Sequence, residues 1–298
     1  MSAWRLIARA LLPRVIGYGR WERLVMRVAF ALVVYFSIRW GVNFDGQPRP
    51  NGLAHWIDFT FISGGEYKGV LKVFVALSLL VYALGVCPAL TLLLPLAVSI
   101  ASGTLVNSQG AINHDKQIVS LVMIGQVATS AFAVFRGGGF LRLTALWENR
   151  LVHVTKTVII AAYVVSAAVK IDESDGAWIW EDVPRLSVQF RKTNLSKEST
   201  DLTPVDPFAG VTLPDWISEH PYQAMAVFGS GLLLELFCFV GLAGRRWAFF
   251  TGLSLVAMHL SIGRLMQLHF DNNVALLVIF FINFPGLTTL FQRGEQSV

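Results

Sequence analysis

Apolar residues along this chain come in long blocks separated by short polar stretches, a spacing suited to hydrocarbon rather than to a water-facing surface. The blocks run roughly 17 to 22 residues, the length of helix needed to cross about 30 Å at about 1.5 Å per residue. Backbone polar groups in lipid find no water, so each block is expected to be helical. The pattern predicts spans at 24–42, 69–85, 88–106, 116–134, 151–170, 222–243, 247–265 and 272–291. The expected fold is all-α: a polytopic transmembrane helical bundle of about eight spans. No low-complexity linker or internal repeat divides it, so 1–298 reads as a single domain. Gly85, Val86, Cys87 and Pro88 leave room only for a tight hairpin or a broken helix between the second and third spans. His259, Arg264 and His269 interrupt the outer half of the seventh.

Charge then orients the bundle. Arg5, Arg9, Arg14, Arg20 and Arg23 precede the first span, against the single acid Glu22. Arg136, Arg142 and Arg150, then Arg245 and Arg246, and finally Arg293 fall on the same side of an eight-span arrangement. By the positive-inside rule that side is cytoplasmic, with both termini in. The opposite side carries the long external loop at 171–221, where ten acids face four Lys and Arg. Residues 1–20 alternate Trp4, Leu6, Ile7, Leu11 and Leu12 with Arg5 and Arg9, which suits an interfacial amphipathic segment on an anionic inner surface. Their arginines and Pro13 do not suit a cleavable signal peptide. The expected location is the cell's inner (plasma) membrane, multi-pass.

Composition narrows the chemistry. The chain is 54% apolar and only 14% charged, where soluble domains carry about 25% charged residues. Its net charge of +5 points to lipid headgroups and not to nucleic acid. Two cysteines, Cys87 and Cys238, make no disulfide framework and no Cys-x-x-Cys. P-loop, dinucleotide and serine-hydrolase signatures are absent, and no His or Cys spacing predicts a metal.

Ionisable groups in lipid are costly and point to function. Lys170 ends the fifth span, with Tyr163 and Ser166 on its helical stripe. It reads either as a lysine snorkelling to the interface or as a desolvated amine able to act as a base. His114, beside Asn113, opens the fourth span as a cap or as a donor and proton relay. His259 lies in the seventh span, and Glu235, deeper in the sixth, reads as a structural acid. In the eight-span arrangement His114, Lys170 and His259 all fall in the outer half of the membrane. They predict a polar pocket there, with Arg264 and Gln267 near its mouth.

Three stretches resemble the HTTM superfamily, the membrane domain shared with vitamin K-dependent gamma-carboxylases. They are Asn113-His114-Asp-Lys-Gln-Ile-Val-Ser-Leu; Ser166-Ala-Ala-Val-Lys170-Ile-Asp172 with Trp178 and Trp180 downstream; and Glu235-Leu-Phe followed by Met258-His259-Leu-Ser-Ile and Leu268-His-Phe270. Order and spacing agree over roughly residues 105–290, and the Asp172–Trp178 stretch is similar to bacterial members lacking a C-terminal soluble domain. The resemblance implies Lys170 as the base that deprotonates a reduced quinone of the menaquinol or vitamin K type. It implies Asn113, His114 and His259 as groups that hold the quinone, with Tyr163, Arg264 and Gln267 expected around it. The functions to separate are a quinol-dependent carboxylase-like or oxidoreductase enzyme and a non-redox membrane partner. The latter would mature or export a secreted peptide or protein toxin, docking it on 171–221. A transporter has less behind it, since no pair of broken helices is visible.

Overall fold

The computed structural model describes residues 15–38, 40, 50–62, 67–108, 114–202 and 204–289. Asn113, Arg293 and the amphipathic positions Trp4 to Leu12 lie outside them. The described chain is all-α. Its helices are α1 Arg20–Ser37, α2 Tyr67–Ala83, α3 Pro88–Asn107, α4 His114–Phe135 and α5 Ala145–Glu173. They continue as α6 Val183–Asp201, α7 Leu213–Glu219, α8 Pro221–Phe237, α9 Arg245–Met266 and α10 Asp271–Leu277. A tighter turn over Cys238–Leu242 prolongs α8, and a wider one over Val278–Ile282 prolongs α10.

Six of these segments are long and apolar enough to cross a membrane: Pro88–Asn107, Lys116–Phe135, Ala145–Glu173, Pro221–Leu242, Arg245–Met266 and Asp271–Thr288. That is the make-up of a multi-pass membrane protein. The other two expected spans are also helices but weaker ones. Arg20, Glu22, Arg23 and Arg27 crowd the start of α1, and α2 is 17 residues long. Both still turn apolar side chains outward, Leu32 and Phe36 on α1 and Val73, Phe74 and Leu77 on α2. Outward apolar surface on this scale suits lipid, not water.

The bundle interior joins the helices through packing and a few paired polar groups. Phe30 of α1 meets Tyr82 of α2 and Phe280 of α10 edge-on, at centroid distances of 6.1 and 5.8 Å. Tyr82 donates to Gln126 Oε1 of α4 at 2.6 Å, and Gln126 Nε2 donates to Thr155 Oγ1 of α5 at 3.0 Å. The Tyr82–Gln126–Thr155 relay pairs polar groups that would be costly alone in a dry core. Between α2 and α3, Leu84–Cys87 make the expected tight turn, with Gly85 at φ 75° and Cys87 at φ 42°. Gly252 of α9 lets α10 approach closely: a Cβ there would stand 2.6 Å from Phe281 Cβ.

The two ends of the bundle differ. At one end Glu148 binds Arg23 and Arg27, at 2.5 and 2.7 Å, and Glu22 binds Arg245 at 2.7 Å. At the other end the 171–221 connection is itself largely helical. Its α6 and α7 form a small apolar core around Val183, Phe190, Leu213 and Ile217. This unit packs on α8 through Phe190 and Phe228, 5.7 Å apart, and Asn194 Nδ2 donates to the Leu265 carbonyl of α9 at 3.0 Å.

Candidate functional site

The C-terminal half of α5 carries Tyr163 and Lys170 about 10 Å apart along the helix. Each reaches a different neighbour. Lys170 Nζ lies 2.5 Å from Glu235 Oε2 of α8, with the lysine side chain 32% exposed and the glutamate 8%. The ammonium also stands 5.6 Å from the centre of the Trp178 ring, within cation–π range. Trp178 is held there by a short relay. Its backbone N–H donates to Ser174 Oγ at 2.9 Å, and Ser174 Oγ donates to the Lys170 carbonyl at 2.7 Å. A left-handed turn at Asp175 and Gly176 makes that return possible.

About seven residues deeper on α5, Tyr163 Oη is 2.7 Å from His259 Nε2 of α9. Asn273 Nδ2 of α10 donates to the same phenol oxygen at 3.4 Å. The phenol and His259 Nε2 thus share one hydrogen bond, whose donor is set by the imidazole tautomer. His259 Nδ1 and Asn273 Oδ1 are both buried with no hydrogen-bond partner among the described residues. His259 is 6% exposed, and Phe270 closes on its ring at 4.9 Å. The cluster therefore presents two unpaired polar atoms in a dry setting, the imidazole Nδ1 and the amide acceptor Oδ1.

The structure thus brings Tyr163, Lys170 and His259 to one end of the bundle, and adds Glu235 to them. Arg264 and Gln267 turn elsewhere. Arg264, 76% exposed, pairs with Asp206 at 2.8 Å. Gln267 Oε1 accepts from Lys197 Nζ at 2.8 Å. Both fasten the 171–221 connection to the end of α9. His114 is the first residue of α4, its side chain lying outside the described set, as Asn113 does altogether. Glu235 and Asn273 are the site residues that the sequence reading underweighted. An acid and an amide inside apolar runs are the signals that mark them. Among the described residues no group of three or more His, Cys, Asp or Glu is placed to hold a metal.

No family model, curated protein or solved structure matches this chain.

Proposed function

We propose that the chain is a plasma-membrane (inner-membrane) protein that crosses the bilayer eight times and holds a lipid-soluble quinol at the Lys170–His259 end. Both termini are then cytoplasmic and the helical 171–221 unit is external. The gathering of Arg23, Arg27 and Arg245 at the other end supports that orientation. The observation that carries the ligand is the pair of orphaned buried atoms, His259 Nδ1 and Asn273 Oδ1. A hydroxyl group both donates and accepts, so with the imidazole hydrogen on Nδ1 a quinol hydroxyl can satisfy the two together. When bound, a reduced quinone supplies two electrons and an ionisable phenolic proton.

The chain's own residues handle that proton. Lys170, with Glu235 as its buried partner, is the candidate base for that proton. His259 and Asn273 orient the hydroxyl, and Trp178 covers the lysine. The resemblance to the gamma-carboxylase membrane domain supports the same roles for Lys170 and His259.

Quinol titration tests the reading, with tryptophan emission as the signal because Trp178 lies beside the site. Purified protein should show saturable quenching by a reduced menaquinone analogue, weakened at least tenfold in His259→Phe. Lys170→Met should still bind but lose proton-coupled turnover. The absence of saturable quenching, or quenching unchanged in His259→Phe, would remove the proposal. The second reading, a docking partner for a secreted peptide, rests on the folded external unit with its exposed Trp180, Val188 and Phe208. Deleting 185–215 without loss of function would dismiss it.

A further inference from the structure

The loop between α4 and α5 runs Arg136-Gly-Gly-Gly-Phe-Leu-Arg142-Leu-Thr144, and three consecutive glycines would suit a slack connection. The structure shows a fastened one. The Gly138 amide donates to the Ala133 carbonyl at 2.8 Å, and the Thr144 amide donates to the Gly138 carbonyl at 3.0 Å. From the α2–α3 turn, the Cys87 amide donates to the Leu141 carbonyl at 2.9 Å. A Cβ on Gly138 would run into the Trp147 ring, and one on Gly139, at φ 96°, into the Arg142 carbonyl. The glycines thus serve closure, and Leu143 joins Ala133, Trp147 and Leu151 in a small apolar core beneath the loop.

A loop fixed this firmly holds its remaining apolar side chains outward. Phe140 is 57% exposed and Leu141 64%, and Phe135, which ends α4, is 88% exposed. Arg136 and Arg142 flank the pair in sequence, both exposed and in no ion pair among the described residues. Arg136 keeps a cation–π contact with Phe132, 5.3 Å from its ring centre. No acid lies between Phe135 and Trp147, and Glu148 is held by Arg23 and Arg27. Both helices that the loop joins are long and apolar enough to cross a bilayer, so the loop lies where hydrocarbon gives way to headgroups. At that level apolar side chains reach the acyl boundary and guanidinium groups reach phosphates.

We propose that the 136–142 loop is a docking surface for an anionic glycerophospholipid of the phosphatidylglycerol type. Its phosphate meets Arg136 and Arg142, and its acyl chains lie against Phe135, Phe140 and Leu141. Charge complementarity decides the occupant. A soluble anion would leave the three apolar side chains in water, and a zwitterionic headgroup sets its own ammonium against the arginines. The inference is independent of the quinol reading and takes only the membrane crossing of α4 and α5 from the fold.

Photo-cross-linking of the full chain reads this surface locally. Phe140→p-benzoylphenylalanine is placed in lipid nanodiscs of equal phosphatidylglycerol and phosphatidylcholine with matched acyl chains, irradiated, and the adducts are weighed. Phosphatidylglycerol should exceed phosphatidylcholine by about fivefold for each arginine engaged. Arg136→Gln with Arg142→Gln should bring the ratio to about one, whereas the charge-matched pair Arg185→Gln with Lys192→Gln, at the other end of the bundle, should leave it unchanged. An even ratio with both arginines present, a ratio untouched by their removal, or a cross-link to a second copy of the chain in place of any lipid overturns the proposal. Should the double variant fail to fold, Arg142→Gln alone is read in the same way, with a fall of about fivefold expected.

Discussion

Lys170 and Glu235, 65 residues apart in sequence, meet at 2.5 Å between two adjacent membrane helices. The carboxylate is the buried partner and the amine the part-exposed one, so the pair is uneven. Losing the lysine strands a charge in the interior, whereas losing both removes the need for either.

Lys170→Met should therefore destabilise the bundle by about 2 kcal/mol, below the 3–5 kcal/mol seen for fully buried pairs because the lysine is one-third exposed. Lys170→Met combined with Glu235→Leu should regain most of that loss. Melting temperatures of the two variants check it. A double variant less stable than the single one would show that the carboxylate has another partner.

Tyr163→Phe should leave the His259 imidazole with a second unpaired nitrogen. The expected cost is about 1–3 kcal/mol, the penalty for a buried polar atom stripped of its partner. The same variant should weaken quinol binding less than His259→Phe, because the orphaned Nδ1 remains. Melting and titration of both variants compare them directly.

Much of this arrangement was legible in the chain. The apolar blocks at 88–106, 116–134 and 247–265 reappear as Pro88–Asn107, Lys116–Phe135 and Arg245–Met266, since a run of that length in lipid has no alternative to helix. The first block starts earlier than hydropathy indicates. Glu22 accepts from the Gly19 amide at 2.5 Å and closes the N-terminus of α1, so the helix begins at Arg20. Pairing was not legible. Nothing local joins Lys170 to Glu235 or Tyr163 to His259; packing of α5 against α8 makes the first pair, and the long reach of the Tyr163 side chain to α9 the second. The helices within 171–221 were obscured by their polar surface, which carries no membrane-length apolar run.

Close packing of α9 on α10 gives a sterically defined prediction. Gly252→Ala should cost about 1–3 kcal/mol, because its Cβ would press on Phe281 at 2.6 Å. Gly103→Ala, which meets nothing within 4 Å, should be neutral or slightly stabilising. Expression and melting of the two alanine variants make the comparison.

Topology has its own test. With Cys87 and Cys238 replaced, a cysteine at Glu198 should react with a membrane-impermeant maleimide on intact cells. A cysteine at Arg246 should react only after the cells are opened. Labelling of both from the same side would refute the eight-span orientation.

Native mass spectrometry of gently solubilised protein probes the ligand assignment most directly. The account predicts a wild-type adduct with the mass of an isoprenoid quinone, lost in His259→Phe while the variant stays folded. A wild-type spectrum showing only bare protein, or a quinone retained equally by His259→Phe, would contradict it.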